Sequence, residues 1–313
     1  MKALVFDEFG TSDVLRYDDI ADPVPAVDEV LVRVAYAGLN FADIYRRRGD
    51  YRIKEHRPYI DGYEASGVVV GGDSDLAGRM VLFVDVPFAN AELVAVPKGN
   101  LIFLPGHIDA KLATTIGLQG LTADFLAHDL ANDPPGSHVF VTGVSGGVGQ
   151  ILAQMLIADG MEVSGSASTS EKRRLASRFG VRHVVPSRED DWCTALASQF
   201  DTVYDGLGST LNQSIALIKN RGHVVLFGMA AGDPPPVDFV DLLAHSKSIV
   251  TGDLWDFLTS PEERQRRAER LFDYIRDGRI VVPDPAVFAL HDGKQAHDLL
   301  ESGRSAGKIL LQP

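Results

Sequence analysis

Cysteine is nearly absent: Cys193 is the only one among 313 residues. No disulfide framework can form within the chain, and no thiolate cluster is available for a structural metal. A reducing, cytoplasmic setting is the expectation. Long apolar runs are also missing. Nowhere do about 18 hydrophobic residues follow one another, and Asp7 and Glu8 stand where the apolar stretch of a signal peptide would continue. A soluble chain with no membrane partner is expected. Positive charge is scarce as well, with 30 basic against 43 acidic side chains and a formal charge of −13. That balance opposes a phosphate backbone, so nucleic acid is not an expected partner. Repeats are lacking, and the only low-complexity stretch is the short DPPP loop from Asp233 to Pro236.

What is present changes character along the chain. Up to about residue 119, short alternating segments (KALVF, EVLVRVAYAG, SGVVVGG, RMVLFV, ELVAVP) are separated by Pro, Gly and Asp clusters, the pattern of an irregular β domain. After the turn-rich ANDPPGSH the rhythm becomes strand then helix. VFVTGV leads into a helix from about Val148, EVSGSA into one from about Thr169, and HVV, TVYDGL and HVVLFG follow. An α/β fold with a doubly wound parallel sheet is predicted. In SPEERQRRAERLFDYIRDG, Ser260 is placed to cap a helix, Pro261 to open it and Glu263 to complete a capping box. Ala268, Leu271, Phe272 and Ile275 share its apolar face, and its arginines are expected on a solvated one. The closing KILLQP is expected to return to the first domain.

The stretch VFVTGVSGGVGQ admits three readings. A strand entering a helix through glycines presents backbone N–H groups at a positive helix end, which suits a pyrophosphate. Val144, Gly146 and Gly149 occupy the GxGxxG positions, with the first glycine replaced. The same stretch spells GxSxG through Gly143, Ser145 and Gly147, the turn of a hydrolase nucleophile, for which Asp205 and His291 are available as triad members. A plain turn without ligand is the third reading. Gly149 favours the dinucleotide, because close helix packing needs a residue without a side chain there, and no HGGG segment lies upstream to supply an oxyanion hole. About 20 residues beyond the glycines, an NAD site places an acid against the ribose. Here GSASTSEKRR has only Glu171, which is explained as the far half of a capping box begun by Ser168. Ser168, Lys172 and Arg173 are left to meet a 2′-phosphate, and NADPH is the expected cofactor.

The order of segments resembles the quinone oxidoreductase branch of the medium-chain dehydrogenase/reductase superfamily over essentially the whole length. The resemblance is carried by AGLNFADIYRRRGDY (37 to 51), GYEASGVV (62 to 69), AELVAVP (91 to 97), GLQGLTA (117 to 123), TGVSGGVGQ (142 to 150), RGHVVLFG (221 to 228) and SAGKILLQP (305 to 313). It implies a GroES-like β domain formed by residues 1–119 and 255–313 around a Rossmann domain of residues 120–254, and a homodimer. It also accounts for the missing first glycine. In the zinc-dependent branch a Cys and the His of a GHE segment bind the catalytic metal. This chain has Asn40 and Tyr63 there and no cysteine-rich lobe, so no metal is expected.

Without a Lewis acid, the chemistry expected is hydride delivery to an electron-poor small molecule, a quinone or enone. The resemblance implies that Asn40 and Thr122 lie beside the nicotinamide, Phe227 and Gly228 on its far side, and Gly146, Gly147, Val148 and Gly149 at the pyrophosphate, with Lys308 approaching the cofactor. Tyr45 falls where related reductases place a tyrosine in the substrate cleft. Either it donates a proton or hydrogen bond there, as a catalytic residue alongside Asn40, or it is a packed aromatic. Asp43 is expected to bond backbone amides; His56 and Arg57 receive no role. A tyrosine that often stacks near the adenosine phosphate would fall near Ser187 and is absent, and GGDSDLAGRM is shorter than usual. An enoyl reductase, a cofactor-binding protein with little turnover and, through GxSxG, a serine hydrolase remain as alternatives.

Overall fold

Alternating side chains in the first part of the chain become strands because each strand sends successive residues to opposite faces. In the computed structural model, which describes residues 1–189 and 191–313, these are β1 (Lys2–Phe6), β2 (Arg16–Asp19), β3 (Glu29–Leu39), then helix α1 (Phe41–Arg48), β4 (Tyr59–Ile60), β5 (Glu64–Gly71), β6 (Met80–Val84), β7 (Leu93–Pro97), β8 (Leu101–Phe103) and helix α2 (Ala110–Phe125). In β3, Val30, Val32 and Val34 are buried while Arg33 between them is exposed. The rest of the chain runs β9 (His138–Val141), α3 (Gly147–Ala158), β10 (Glu162–Ala167), α4 (Ser170–Arg178), β11 (Val184–Pro186), β12 (Phe200–Asp205), α5 (Leu211–Leu217), β13 (Ile218–Leu226), α6 (Phe239–His245), β14 (Ser248–Thr251), α7 (Pro261–Arg276), β15 (Ala286–Ala289), α8 (Gly293–Glu301) and β16 (Ile309–Gln312).

Two units result, Met1–Leu118 with Leu258–Phe272 and Pro283–Pro313, and Gln119–Phe257 with Asp273–Val282. In the first, β2, β1 and β4 form a small antiparallel sheet, and a larger one runs β15, β16, β3, β5, β6, β8, with β7 also on β3. Its core gathers Phe6, Leu39, Ile44, Phe83 and Leu311. β16 lies antiparallel to β3, Ile309 opposite Leu39 and Leu310 opposite Gly38. The chain's last strand therefore does return to the first unit.

The second unit holds a six-stranded parallel sheet in the order β11, β10, β9, β12, β13, β14. Its direction of winding reverses between β9 and β12, the position where open α/β sheets bind ligands at the carboxyl ends of the strands. Phe140, Trp192 and Phe200 anchor one side of it, the Phe140 ring 5.6 Å from Trp192 and 5.2 Å from Phe200.

Residues 255–257 and Asp273–Val282 belong to this second unit, whereas the resemblance implies that all of 255–313 lies in the first. Their attachment is polar and invisible to periodicity. Gln154 bonds both backbone groups of Val281, at 2.9 and 3.0 Å, and the Tyr274 hydroxyl donates to Asp159 at 2.5 Å. Ser260 caps α7 as expected, accepting from the Glu263 N–H at 3.1 Å. The expectation of solvated arginines on that helix is corrected at Arg264 and Arg267, which are buried. Arg264 Nη1 donates to the Val84 carbonyl at 3.2 Å, and Arg267 pairs with Glu263 at 2.6 Å. Among the described residues no helix is long and apolar enough to cross a membrane.

Candidate active site

At the reversal point of the parallel sheet the glycine stretch makes a tight, side-chain-free turn. Gly143 takes a left-handed φ of 59°, which a side chain would oppose. The Gly146 N–H then donates to the Gly143 carbonyl at 2.8 Å, and Gly146 is the N-cap of α3 with no side chain to close it. The N–H groups of Gly147 and Val148 in the first helical turn have no carbonyl within the helix to meet. A Cβ on Gly149 would lie 2.5 Å from the Gly143 oxygen and 3.0 Å from Val144 Cα, both backbone atoms that cannot move aside. A Cβ on Gly147 would collide with the Gln119 side chain, whose Oε1 is buried without a partner among the described residues. The turn is thus shaped to bring backbone amides close to an anion.

The competing nucleophile reading finds no support in the geometry. Ser145 is 3 % exposed. Both Asp205 oxygens are taken, by the hydroxyls of Thr142 (3.2 Å), Thr210 (2.9 Å) and Ser214 (2.6 Å) and the N–H groups of Leu207 and Gly208. His291 is exposed, beside Tyr17 and Asp292. Asp205 instead ties the end of β12 to the end of β9. Beyond β13, the Phe227 N–H donates to the Asp205 carbonyl at 2.9 Å, and a Cβ on Gly228 would lie 2.8 Å from the Gly206 oxygen. Phe227 and Gly228 are half-buried on this same crest, and Thr122 is half-buried on the last turn of α2.

At the end of β10, Ser168 is half-buried, but the cap of α4 is Thr169, whose hydroxyl accepts from the Lys172 N–H at 3.2 Å. This corrects the box expected between Ser168 and Glu171: the helix starts one residue later, so the third helical position falls on Lys172. Lys172 and Arg173 are both half-buried. Burial lowers the Lys172 pKa, the nearby Arg188 guanidinium lowers it further, and Glu171 opposes them. Arg188 was not anticipated. It follows β11, where Pro186 lies opposite Ala167 and the Ser187 N–H donates to the Ala167 carbonyl at 3.2 Å. Cross-strand register, not local spacing, brings this cation beside Lys172.

The first unit carries a different kind of cluster. Asn40 follows β3 and caps the start of α1. Its N–H donates to Asp43 Oδ2 at 2.9 Å, and Asp43 Oδ1 accepts from Arg46 at 3.1 Å, so Asp43 serves the backbone as expected. Burial pushes the Asp43 carboxyl up, against the Arg46 guanidinium. The Arg46 guanidinium also lies 3.6 Å from the Tyr63 ring centre, and the Tyr63 hydroxyl accepts from the Lys54 N–H at 2.7 Å.

The Asn40 side chain donates to the Gly38 carbonyl at 3.1 Å and to Glu64 Oε2 at 2.9 Å, and accepts from Lys308 Nζ at 2.8 Å. Lys308 Nζ is 2.5 Å from the same Glu64 oxygen, and the other Glu64 oxygen accepts from the Leu118 N–H at 2.6 Å. Two glycines make room for this carboxylate: a Cβ on Gly38 would strike Glu64 Oε2, and one on Gly117 would lie 2.7 Å from Oε1. Glu64 was missed, although a charge inside the apolar GYEASGVV strand was a signal. Burial also pushes the Asp61 carboxyl well up, with Asp43 adding to it; Asp61 Oδ2 is buried without a partner among the described residues. Tyr45 is half-buried on α1, its ring 6.4 Å from Phe41. His56 is exposed and its Nδ1 meets the Pro58 carbonyl at 2.6 Å; Arg57 lies over Tyr59.

Residues 26–126 match the family described as alcohol dehydrogenase GroES-like domain, and residues 147–267 the one described as zinc-binding dehydrogenase. A probable quinone oxidoreductase of Schizosaccharomyces pombe is 34% identical, with 96% of this chain and 94% of the relative aligned. The chain belongs to the quinone oxidoreductase group of the medium-chain dehydrogenase/reductase superfamily. A solved mycobacterial protein complexed with NADPH shares 32% identity with it at a TM-score of 0.94, each chain covered in full. The Escherichia coli quinone oxidoreductase complexed with NADPH shares 28% at 0.93, again over both full lengths. This quinone oxidoreductase-like enzyme thus combines a GroES-like unit with a Rossmann-type sheet. The glycine crest, Lys172, Arg173, Phe227, Gly228 and Thr122 sit in the second unit; Asn40, Tyr45 and Lys308 sit in the first.

Proposed function

We propose that the chain is an NADPH-dependent reductase that passes hydride to a quinone or related conjugated carbonyl without a metal ion. The observation that carries the reading is the Lys308 ammonium 2.5 Å from Glu64, buried with it. The description of one matching family calls for zinc, and the residues here do not fit it. A lysine cation already sits against the Glu64 carboxylate, an amide and a phenol stand at the expected Cys and His positions, and among the described residues no three His, Cys, Asp or Glu side chains gather as ligands.

The residues do fit a dinucleotide. Gly147 and Val148 offer N–H groups for the diphosphate, and Gly149 keeps that turn close. Half-buried Lys172, with the exposed Arg188 close enough to act on it, favours the 2′-phosphate of NADPH over the hydroxyl of NADH. When bound, the nicotinamide supplies the hydride. Tyr45 then supplies a hydrogen bond, and the proton, to the oxygen on which negative charge collects. The edge strand β14 and the neighbouring α6, which exposes Phe239, Val240 and Leu243, support a homodimer covering that edge.

Stopped-flow oxidation of NADPH and of NADH by 1,4-benzoquinone, in metal-free buffer with chelator, tests the reading. Fast NADPH oxidation unaffected by chelator is expected; rates that require added Zn²⁺, or that favour NADH, contradict it. Tyr45→Phe is expected to keep NADPH binding and lower the rate about 10²-fold, and an unchanged rate would return Tyr45 to packing.

A further inference from the structure

Gly147 and Gly149 lack side chains for different reasons. A Cβ on Gly149 would meet backbone atoms, whereas one on Gly147 would collide with Oε1, Cδ and Nε2 of a single side chain, the carboxamide of Gln119. All three amide atoms border that position, so the carboxamide lies across Gly147, the first residue of α3. Gln119 stands on α2, three positions before Thr122, and shares its helix face. Both residues, like the glycine turn, belong to the second unit. The Gln119 Oε1 is buried with no hydrogen-bond partner among the described residues. An acceptor buried and left unpaired weakens a fold. A side chain retained despite that, on the turn shaped for an anion, is explained by a partner that arrives with the ligand.

We infer that Gln119 is a further ligand of the bound dinucleotide: its NH₂ donates to the diphosphate beside the Gly147 and Val148 N–H groups, its Oε1 accepts from an adjoining ribose hydroxyl, and Gly147 is bare so that the carboxamide has room there. The inference rests on the reading of the chain as an NADPH-dependent reductase. The chemistry matches at both ends of the amide. A diphosphate offers oxygens and so takes the NH₂, while the nearest donors to it in a dinucleotide are ribose hydroxyls, which take the carbonyl oxygen. Unlike Lys172, Gln119 acts on a part that NADPH and NADH share. It therefore sets affinity and not the choice between the two.

Binding tests this without any turnover. Wild type, Gln119→Met, Gly147→Ala and the double variant are titrated with three probes: NADPH, its 2′-phospho-ADP-ribose fragment, which keeps the diphosphate and both riboses, and 2′-AMP, which has neither the diphosphate nor the second ribose. Methionine keeps the length of the side chain and removes its hydrogen bonds, and a methyl at position 147 needs only the flexible end of Gln119 to move aside. Gln119→Met is expected to melt at or above the wild-type temperature and to bind NADPH and the fragment about tenfold more weakly, the scale of a lost hydrogen bond, with 2′-AMP unchanged. Gly147→Ala is expected to weaken both by a similar factor, and the double variant to bind no more weakly than either single one, because both substitutions act through the same carboxamide. Unchanged NADPH affinity in Gln119→Met, losses that multiply in the double variant, or a weakening that extends to 2′-AMP each overturn the inference. So does a melting temperature several degrees below wild type, which would make Gln119 part of the packing. A wild type that binds neither NADPH nor the fragment overturns the reductase reading itself, a result distinct from a wild type that binds both and a Gln119→Met that binds them equally well.

Discussion

The two units prepare for charge in opposite ways. On the crest of the parallel sheet, side chains are removed: Gly143, Gly146, Gly147 and Gly149 leave backbone N–H groups at the start of a helix. In the GroES-like unit, side chains are supplied and buried: Asp43, Arg46, Asp61, Glu64 and Lys308 are each at most 2% exposed. A backbone cradle has no titrating group and no rotamer to fix, so it tolerates sequence change wherever the glycines stay. A buried ionic cluster depends on every member, because removing one leaves another charge desolvated and unpaired. The first arrangement suits an anion that must enter and leave. The second suits a permanent scaffold that holds one amide still.

That contrast can be broken or sharpened by substitution. The largest effect is expected at Lys308→Ala, which strands Glu64 and should cost about 3–5 kcal/mol in urea unfolding; a loss no greater than that of an exposed lysine would mean the cluster relaxes. Gly149→Ala forces a Cβ against Gly143 and Val144 backbone, and a loss of about 1–3 kcal/mol of stability together with weaker NADPH binding by fluorescence titration is expected. Lys172→Ala should weaken NADPH by about 1.5–3 kcal/mol, as for a lost charged hydrogen bond, and leave NADH almost unchanged, which titration with both cofactors will reveal. Ser145→Ala should change turnover least of all, and a fluorophosphonate should label neither protein; labelling of wild type at Ser145 would reinstate the nucleophile reading.

Much of the second unit was legible because its signals are local. HVFV, the glycines and the helix after them sit next to one another, and strand, turn and helix starts are decided within a few residues. Even there, boundaries slipped by a residue: Thr169 rather than Ser168 caps α4, since the chain leaves β10 extended one step further. Arg188 could not be found that way, for its approach to Lys172 depends on β11 lying beside β10. In the first unit the strands were legible from alternation, and motif resemblance singled out Asn40 and Lys308, which the fold places 2.8 Å apart. Glu64, Asp61 and the burial of Arg46 were not, because a charged residue reads as exposed until its partners are known.

The sequence by itself determined an α/β chain with a β-rich start, a parallel sheet and a glycine turn fit for a diphosphate, since those features are written in periodicity and in residues that adopt unusual backbone angles. Only the tertiary structure decided what surrounds Asn40. Its partner Lys308 is 268 positions away along the chain, and the pairings of β16 with β3 and of β3 with β5 bring residues 38, 40, 64 and 308 together. The register of strands far apart in the chain is set by burial of whole faces, and no local spacing carries that information.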